Sequence, residues 1–80
     1  MTAKKHHIEE SKFYQKLGER LKTLRIAADF ASAESFAREY AIGRTQYLQY
    51  EKGRNMELST LIKLSRIHDL TVEQLLAGIE

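Results

Sequence analysis

The 80 residues contain no cysteine, no proline and no tryptophan, and valine occurs once. Without cysteine there is neither a disulfide staple nor a thiolate metal site, and His6, His7 and His68 alone make an all-histidine site an unattractive alternative. Stability has to come from packing. The longest uninterrupted apolar runs are three residues, as at Ile26-Ala27-Ala28, far short of the roughly 18 to 20 that span a bilayer. No signal-peptide core follows the start, so the expectation is a cytoplasmic protein with no membrane partner. A large excess of one charge is lacking too: 13 Lys and Arg against 11 Asp and Glu leave +2, and any electrostatic partner must be read from where the charges stand.

A chain this short closes one apolar core, which implies a single small domain. Such a domain has little margin, because chains under about 70 to 80 residues rarely draw more than ~3–5 kcal/mol from their core. Apolar residues at 42% and charged residues at 30% fit a globular chain rather than a disordered one. Leu, Ala, Glu, Lys, Arg and Gln dominate, so local preference favours helix nearly everywhere, with four glycines as punctuation.

Phe13, Leu17, Leu21, Leu24 and Ala28 recur at steps of three or four and predict one helix ending near Asp29. Gly18 weakens it by up to ~1 kcal/mol relative to alanine. A second helix starts at Ser32, whose hydroxyl can cap the first turn, and buries Phe36, Ala37 and Tyr40. A third runs from Arg44 to about Lys52, with Tyr47 and Tyr50 on one face and Gly53 as a left-handed stop. Leu58, Leu61, Ile62, Leu64 and Ile67 give a fourth. Thr71-Val72-Glu73-Gln74 has the form of a capping box opening a fifth, with Leu75 and Leu76 inward and Gly78 at its end. No strand candidate survives. Residues 1–10, with Lys4, Lys5, His6 and His7 but no apolar period, read as an N-terminal arm, mobile from Met1 to about His7, and 11–80 as the domain.

Two short helices joined by three or four residues match a helix-turn-helix unit. The stretches Leu21-Lys-Thr-Leu-Arg25, Ser32-Ala-Glu-Ser-Phe-Ala37, Ile42-Gly-Arg-Thr-Gln-Tyr-Leu-Gln-Tyr-Glu-Lys-Gly53, Leu58-Ser-Thr-Leu-Ile-Lys-Leu64 and Leu70-Thr-Val-Glu-Gln-Leu-Leu76 resemble the phage repressor and Cro (XRE-type) helix-turn-helix family over roughly positions 13 to 77. The resemblance implies an all-α, compact five-helix repressor-like domain that buries Phe36, Tyr40, Ile42, Tyr47 and Tyr50, with a structural ion pair between Arg25 and Glu51 that fixes the angle between two helices. It also implies a third helix that enters the major groove of double-stranded DNA, where Arg44, Thr45, Gln46 and Gln49 would read bases and Ser32, Lys52 and Arg54 would meet phosphates. The chain departs from the pattern at Ala33 and Ala41, where members carry glutamine and glycine. Ala41 either accepts a left-handed conformation or sits in a turn of different build.

The charge map runs the same way: positions 1–25 carry seven basic and three acidic residues (+4), 38–54 four and two (+2), while 26–37 and 55–80 come to −2 each. The expected function is a sequence-specific transcriptional regulator, a repressor acting as a homodimer through Leu75, Leu76 and Ile79 or, failing that, through Ile8 and Phe13. A second reading keeps the fold as an antitoxin-like or regulatory protein-interaction module that reads little or no sequence. Tyr14, Tyr40, Tyr47 and Tyr50 could stack single-stranded bases, but their helical spacing favours core. His6 and His7 with Glu9 or Glu10 fall short of a closed metal ligand set. His68 is either a satisfied interior histidine or a sign that the fourth helix turns outward there. No nucleophile motif or phosphate loop is present, so neither catalysis nor a cofactor nor a small-molecule ligand is expected.

Overall fold

A computed structural model describes residues 10–79, so the N-terminal arm expected over 1–10, apart from Glu10, lies outside the described residues. Those residues form an all-α fold of five helices with no strand: α1 Glu10–Ala27, α2 Ala33–Glu39, α3 Arg44–Glu51, α4 Leu58–Ile67 and α5 Val72–Leu76. Among them no helix is long and apolar enough to cross a membrane, and no cluster of His, Asp or Glu could hold a metal ion.

The helices begin and end where their local chemistry allows. Ser32 Oγ accepts the Ser35 amide at 3.0 Å to open α2. Thr71 and Gln74 form the reciprocal capping box of α5, at 3.0 and 2.9 Å. Four helices stop in one way: the third amide past the last helical residue reaches back five residues, as in Phe30 to Arg25 at 3.1 Å, Ile42 to Ala37 at 2.8 Å, Arg54 to Gln49 at 3.0 Å and Leu70 to Ser65 at 2.8 Å. Each such stop needs one left-handed residue. Gly53 (φ 103°) fills that place once, and Asp29 (71°), Ala41 (56°) and Asp69 (58°) fill the others. Ala41 therefore takes the left-handed form itself.

The core gathers Leu17 and Leu21 from α1, Phe36 and Ala37 from α2, Tyr47 and Tyr50 from α3, Leu64 from α4, Leu75 from α5, and Ile79 beyond it. Phe36 lies at its centre, with the rings of Tyr40, Tyr47, Phe30 and His68 at centroid distances of 4.8, 4.9, 5.3 and 5.4 Å. Tyr40 and Ile42 are half-buried against this cluster. Arg20 ties α5 down by donating to the carbonyls of Leu75 at 3.0 Å and Ala77 at 2.7 Å, satisfying helix-end acceptors that have no partner of their own.

Three expectations need correction. Ala28 is exposed, because α1 stops one residue earlier and the chain turns away at Asp29, and Arg25 takes the buried face instead. Leu58, expected inward, is 67% exposed at the first position of α4. Leu75 and Ile79, the first choice for a dimer surface, are buried in the core of the single chain, and Leu76 is half-buried against it; of the second choice, Phe13 is half-buried and Ile8 lies outside the described residues.

Gly18 carries more than a helix penalty. A Cβ there would stand 2.5 Å from the Glu51 carbonyl oxygen and 2.6 Å from that of Tyr50, so α3 rests its backbone directly on α1. His68 stacks on Phe36 at an interplanar angle of 6°, and its buried Nε2 has no hydrogen-bond partner. It is interior but not satisfied, and burial lowers its pKa.

Two exchanges between alanine and glycine should therefore move thermal stability in opposite directions. Gly18→Ala, despite the better helix former, is expected to cost about 1–3 kcal/mol because the backbone above it has nowhere to go. Ala41→Gly is expected to add about 0.5–1 kcal/mol by relieving the left-handed Cβ. Melting curves of the two variants check both signs. His68 gives a pH dependence: the unfolded chain binds its proton near pH ~6.5 while the folded chain binds it only at lower pH. Stability is then greatest above that value and falls as the pH drops below it, and His68→Phe should flatten this part of the urea-midpoint profile.

Candidate nucleic-acid interface

The outward face of α3 follows from how its inward face is fixed. Tyr47, Tyr50 and Glu51 stand three and four residues apart, on one side of the helix, and the two tyrosines are buried. At its end Arg25 Nε donates to Glu51 Oε2 at 2.7 Å and Nη2 to Oε1 at 3.1 Å, with both side chains almost out of solvent at 6% and 7% exposure. The remaining nitrogen, Nη1, donates to the Phe30 carbonyl at 2.7 Å, so one guanidinium ties together the end of α1, the turn after it and the end of α3. The Tyr47 hydroxyl lies buried without a hydrogen bond of ordinary geometry. Burial, and then the Glu51 carboxylate, push its pKa well above the usual phenol range.

With that side anchored, Arg44, Thr45, Gln46, Leu48, Gln49 and Lys52 all face solvent. A groove between the start of α2 and the outer face of α3 is lined by Ser32, Ala33, Glu34, Arg44, Thr45 and Leu48. An adjoining hollow shares Ser32, Ala33 and Leu48 and adds Lys22 and Lys52 to its lining, together with the Arg25–Glu51 pair. Of the expected contact residues, Ser32, Arg44 and Thr45 thus converge on one groove and Lys52 on its neighbour. Gln46 and Gln49 lie on the same exposed helix but line neither hollow. Arg54, past the left-handed Gly53, donates through Nη1 to Gln49 Oε1.

Two residues of this surface were not singled out by the sequence. Glu34 Oε2 accepts a hydrogen bond from Arg44 Nη1 at 2.7 Å, and that bond, with the guanidinium charge behind it, holds the Glu34 carboxyl below its ordinary pKa. Ten positions separate the two residues, a spacing that no helical period joins; only the docking of α2 on α3 does so. Lys22 stands on α1 within the basic N-terminal stretch, but nothing in its spacing marks it as facing α3.

No family model matches the chain, and no curated protein or solved structure matches it either.

Breaking the Arg25–Glu51 pair from one side leaves a charge buried alone, which typically costs about 3–5 kcal/mol, comparable to the whole margin of a domain this small. Arg25→Met and Glu51→Leu are each expected to lose most helical circular dichroism at room temperature. The double variant, with no stranded charge, should recover a substantial part of it.

Proposed function

We propose that the protein is a sequence-specific double-stranded DNA-binding regulator of the helix-turn-helix type, repressing by occupying an operator, with α2 and α3 as the two helices of the unit and α3 in the major groove. The observation that carries this reading is the division of α3: Tyr47, Tyr50 and Glu51 are spent on the core and the Arg25 pair, while Arg44, Thr45, Gln46 and Gln49 stand exposed together. In that groove an arginine can donate two hydrogen bonds to guanine, a glutamine can pair with adenine, and the methyl of Thr45 or the side chain of Leu48 can meet a thymine methyl. Lys52, Arg54 and the capped first turn at Ser32 suit phosphates, and Lys22 joins them.

One reading helix covers only a few base pairs, so useful specificity calls for two copies on half-sites about 34–36 Å apart. The copy-to-copy surface lies elsewhere than on Leu75 and Ile79. The exposed large apolar side chains among the described residues are Ile26, Leu48 and Leu58.

Selection from random duplex DNA, run at two salt concentrations, tests the proposal. The expected result is enrichment of a short palindrome. Arg44→Ala and Gln49→Ala should each weaken binding to that palindrome by ~5- to 150-fold beyond any change on a scrambled duplex, the range of one good bidentate base contact. Arg44→Ala, which also removes a positive charge, should weaken the scrambled duplex slightly, and Gln49→Ala should not. Weak, sequence-blind binding that fades with salt would instead favour a protein-interaction module on the same fold.

A further inference from the structure

We infer that Glu34 is a positioning residue for base reading: it holds Arg44 by one nitrogen and presents the other edge of the guanidinium to a guanine, so that α2 selects sequence without touching a base. The inference rests on the DNA-reading proposal above and adds to it a residue whose charge is the wrong sign for a phosphate surface.

The geometry is that of a brace rather than a mask. Arginine offers donors on three nitrogens in a fixed plane. Glu34 Oε2 engages only Nη1, at 2.7 Å, and no other hydrogen bond of Arg44 is present among the described residues, so the Nε and Nη2 edge stays open. That edge carries the two parallel donors that match guanine O6 and N7. Both side chains are well exposed, at 69% for Arg44 and 52% for Glu34, so their pairing owes little to burial. What it removes is freedom, since a long arginine at the first position of α3 would otherwise sweep many rotamers before meeting a base.

The position of Glu34 supplies a second, opposite effect. It stands in the first turn of α2, where the carboxylate is favoured by the free amides, and in the same groove as Ser32. A negative charge there opposes an approaching phosphate. Glu34 therefore lowers affinity for DNA of any sequence while raising discrimination between sequences, and the two effects can be separated by experiment.

The full chain, with Glu34→Ala and Glu34→Gln variants, is titrated by fluorescence anisotropy against the duplex enriched by the selection and against a scrambled duplex of equal length. Glu34→Ala should bind the scrambled duplex more tightly than the parent, yet its ratio of selected to scrambled affinity should fall ~3- to 10-fold, part of what one bidentate contact supplies. Glu34→Gln keeps an acceptor for Nη1 and should share the gain on scrambled DNA while holding the ratio within about twofold of the parent. In an Arg44→Ala background Glu34→Ala should leave the ratio unchanged. Circular dichroism of each variant should match the parent, as both side chains are exposed. A ratio that stays constant or rises in Glu34→Ala, or that falls equally without Arg44, overturns the inference while leaving the DNA reading in place. A parent chain with no preference between the duplexes overturns both.

Discussion

The carbonyl groups of Tyr50 and Glu51 lie where a side chain at position 18 would stand, and this contact between two backbones sets the position of everything α3 carries. Because α3 rests on α1 without an intervening side chain, its last turn is close enough for Arg25 to grip Glu51 through two hydrogen bonds while reaching the Phe30 carbonyl with its third nitrogen. One contact is steric and the other electrostatic. Together they fix the height and the rotation of α3, and Tyr47 and Tyr50 then fall inward while the polar positions fall outward. A helix of eight residues has few turns with which to hold its own orientation, so the docking has to do it.

Much of this was legible in the sequence because helix ends advertise themselves. Ser32, the Thr71–Gln74 box and Gly53 stand where their chemistry demands. The apolar steps along α1 and α4 gave the correct faces, except where a helix ended before the pattern did, at Ala28, or had only just begun, at Leu58. What stayed hidden were features that depend on a partner element. Gly18 reads in isolation as a weak point in a helix, and only the arrival of α3 explains it. Ala41, lacking the freedom of glycine, gives no local sign that the closing hydrogen bond from Ile42 to Ala37 will hold it left-handed. Leu75 reads as inward and, with Ile79, also as a dimer surface; the first reading holds, and the burial of both goes with the end of α5 being held against α1 by Arg20, which no local pattern shows.

The candidate surface divides in the same way. The exposed residues of α3 follow directly from the buried ones, since a helix anchored through 47, 50 and 51 has one outward side. The bracing around them does not follow. Glu34 reaches the groove, and Lys22 the adjoining hollow, from other helices, at separations that carry no periodic signature, and a single sequence offers no way to see such neighbours. Surfaces built from several elements are legible only as far as their central helix is.

The ring of Phe36 touches partners drawn from Phe30 to His68, nearly half the chain. Tyr40 stands at the end of α2, the helix of Phe36 itself, and Tyr47 arrives with α3, but His68 arrives only with the end of α4. A fragment ending after α3 would therefore keep every residue of the outward face and still lack one wall of the core beneath it. The outward surface is in this sense a property of the whole domain and its shared core, and not a portable helix pair that could be cut out and kept.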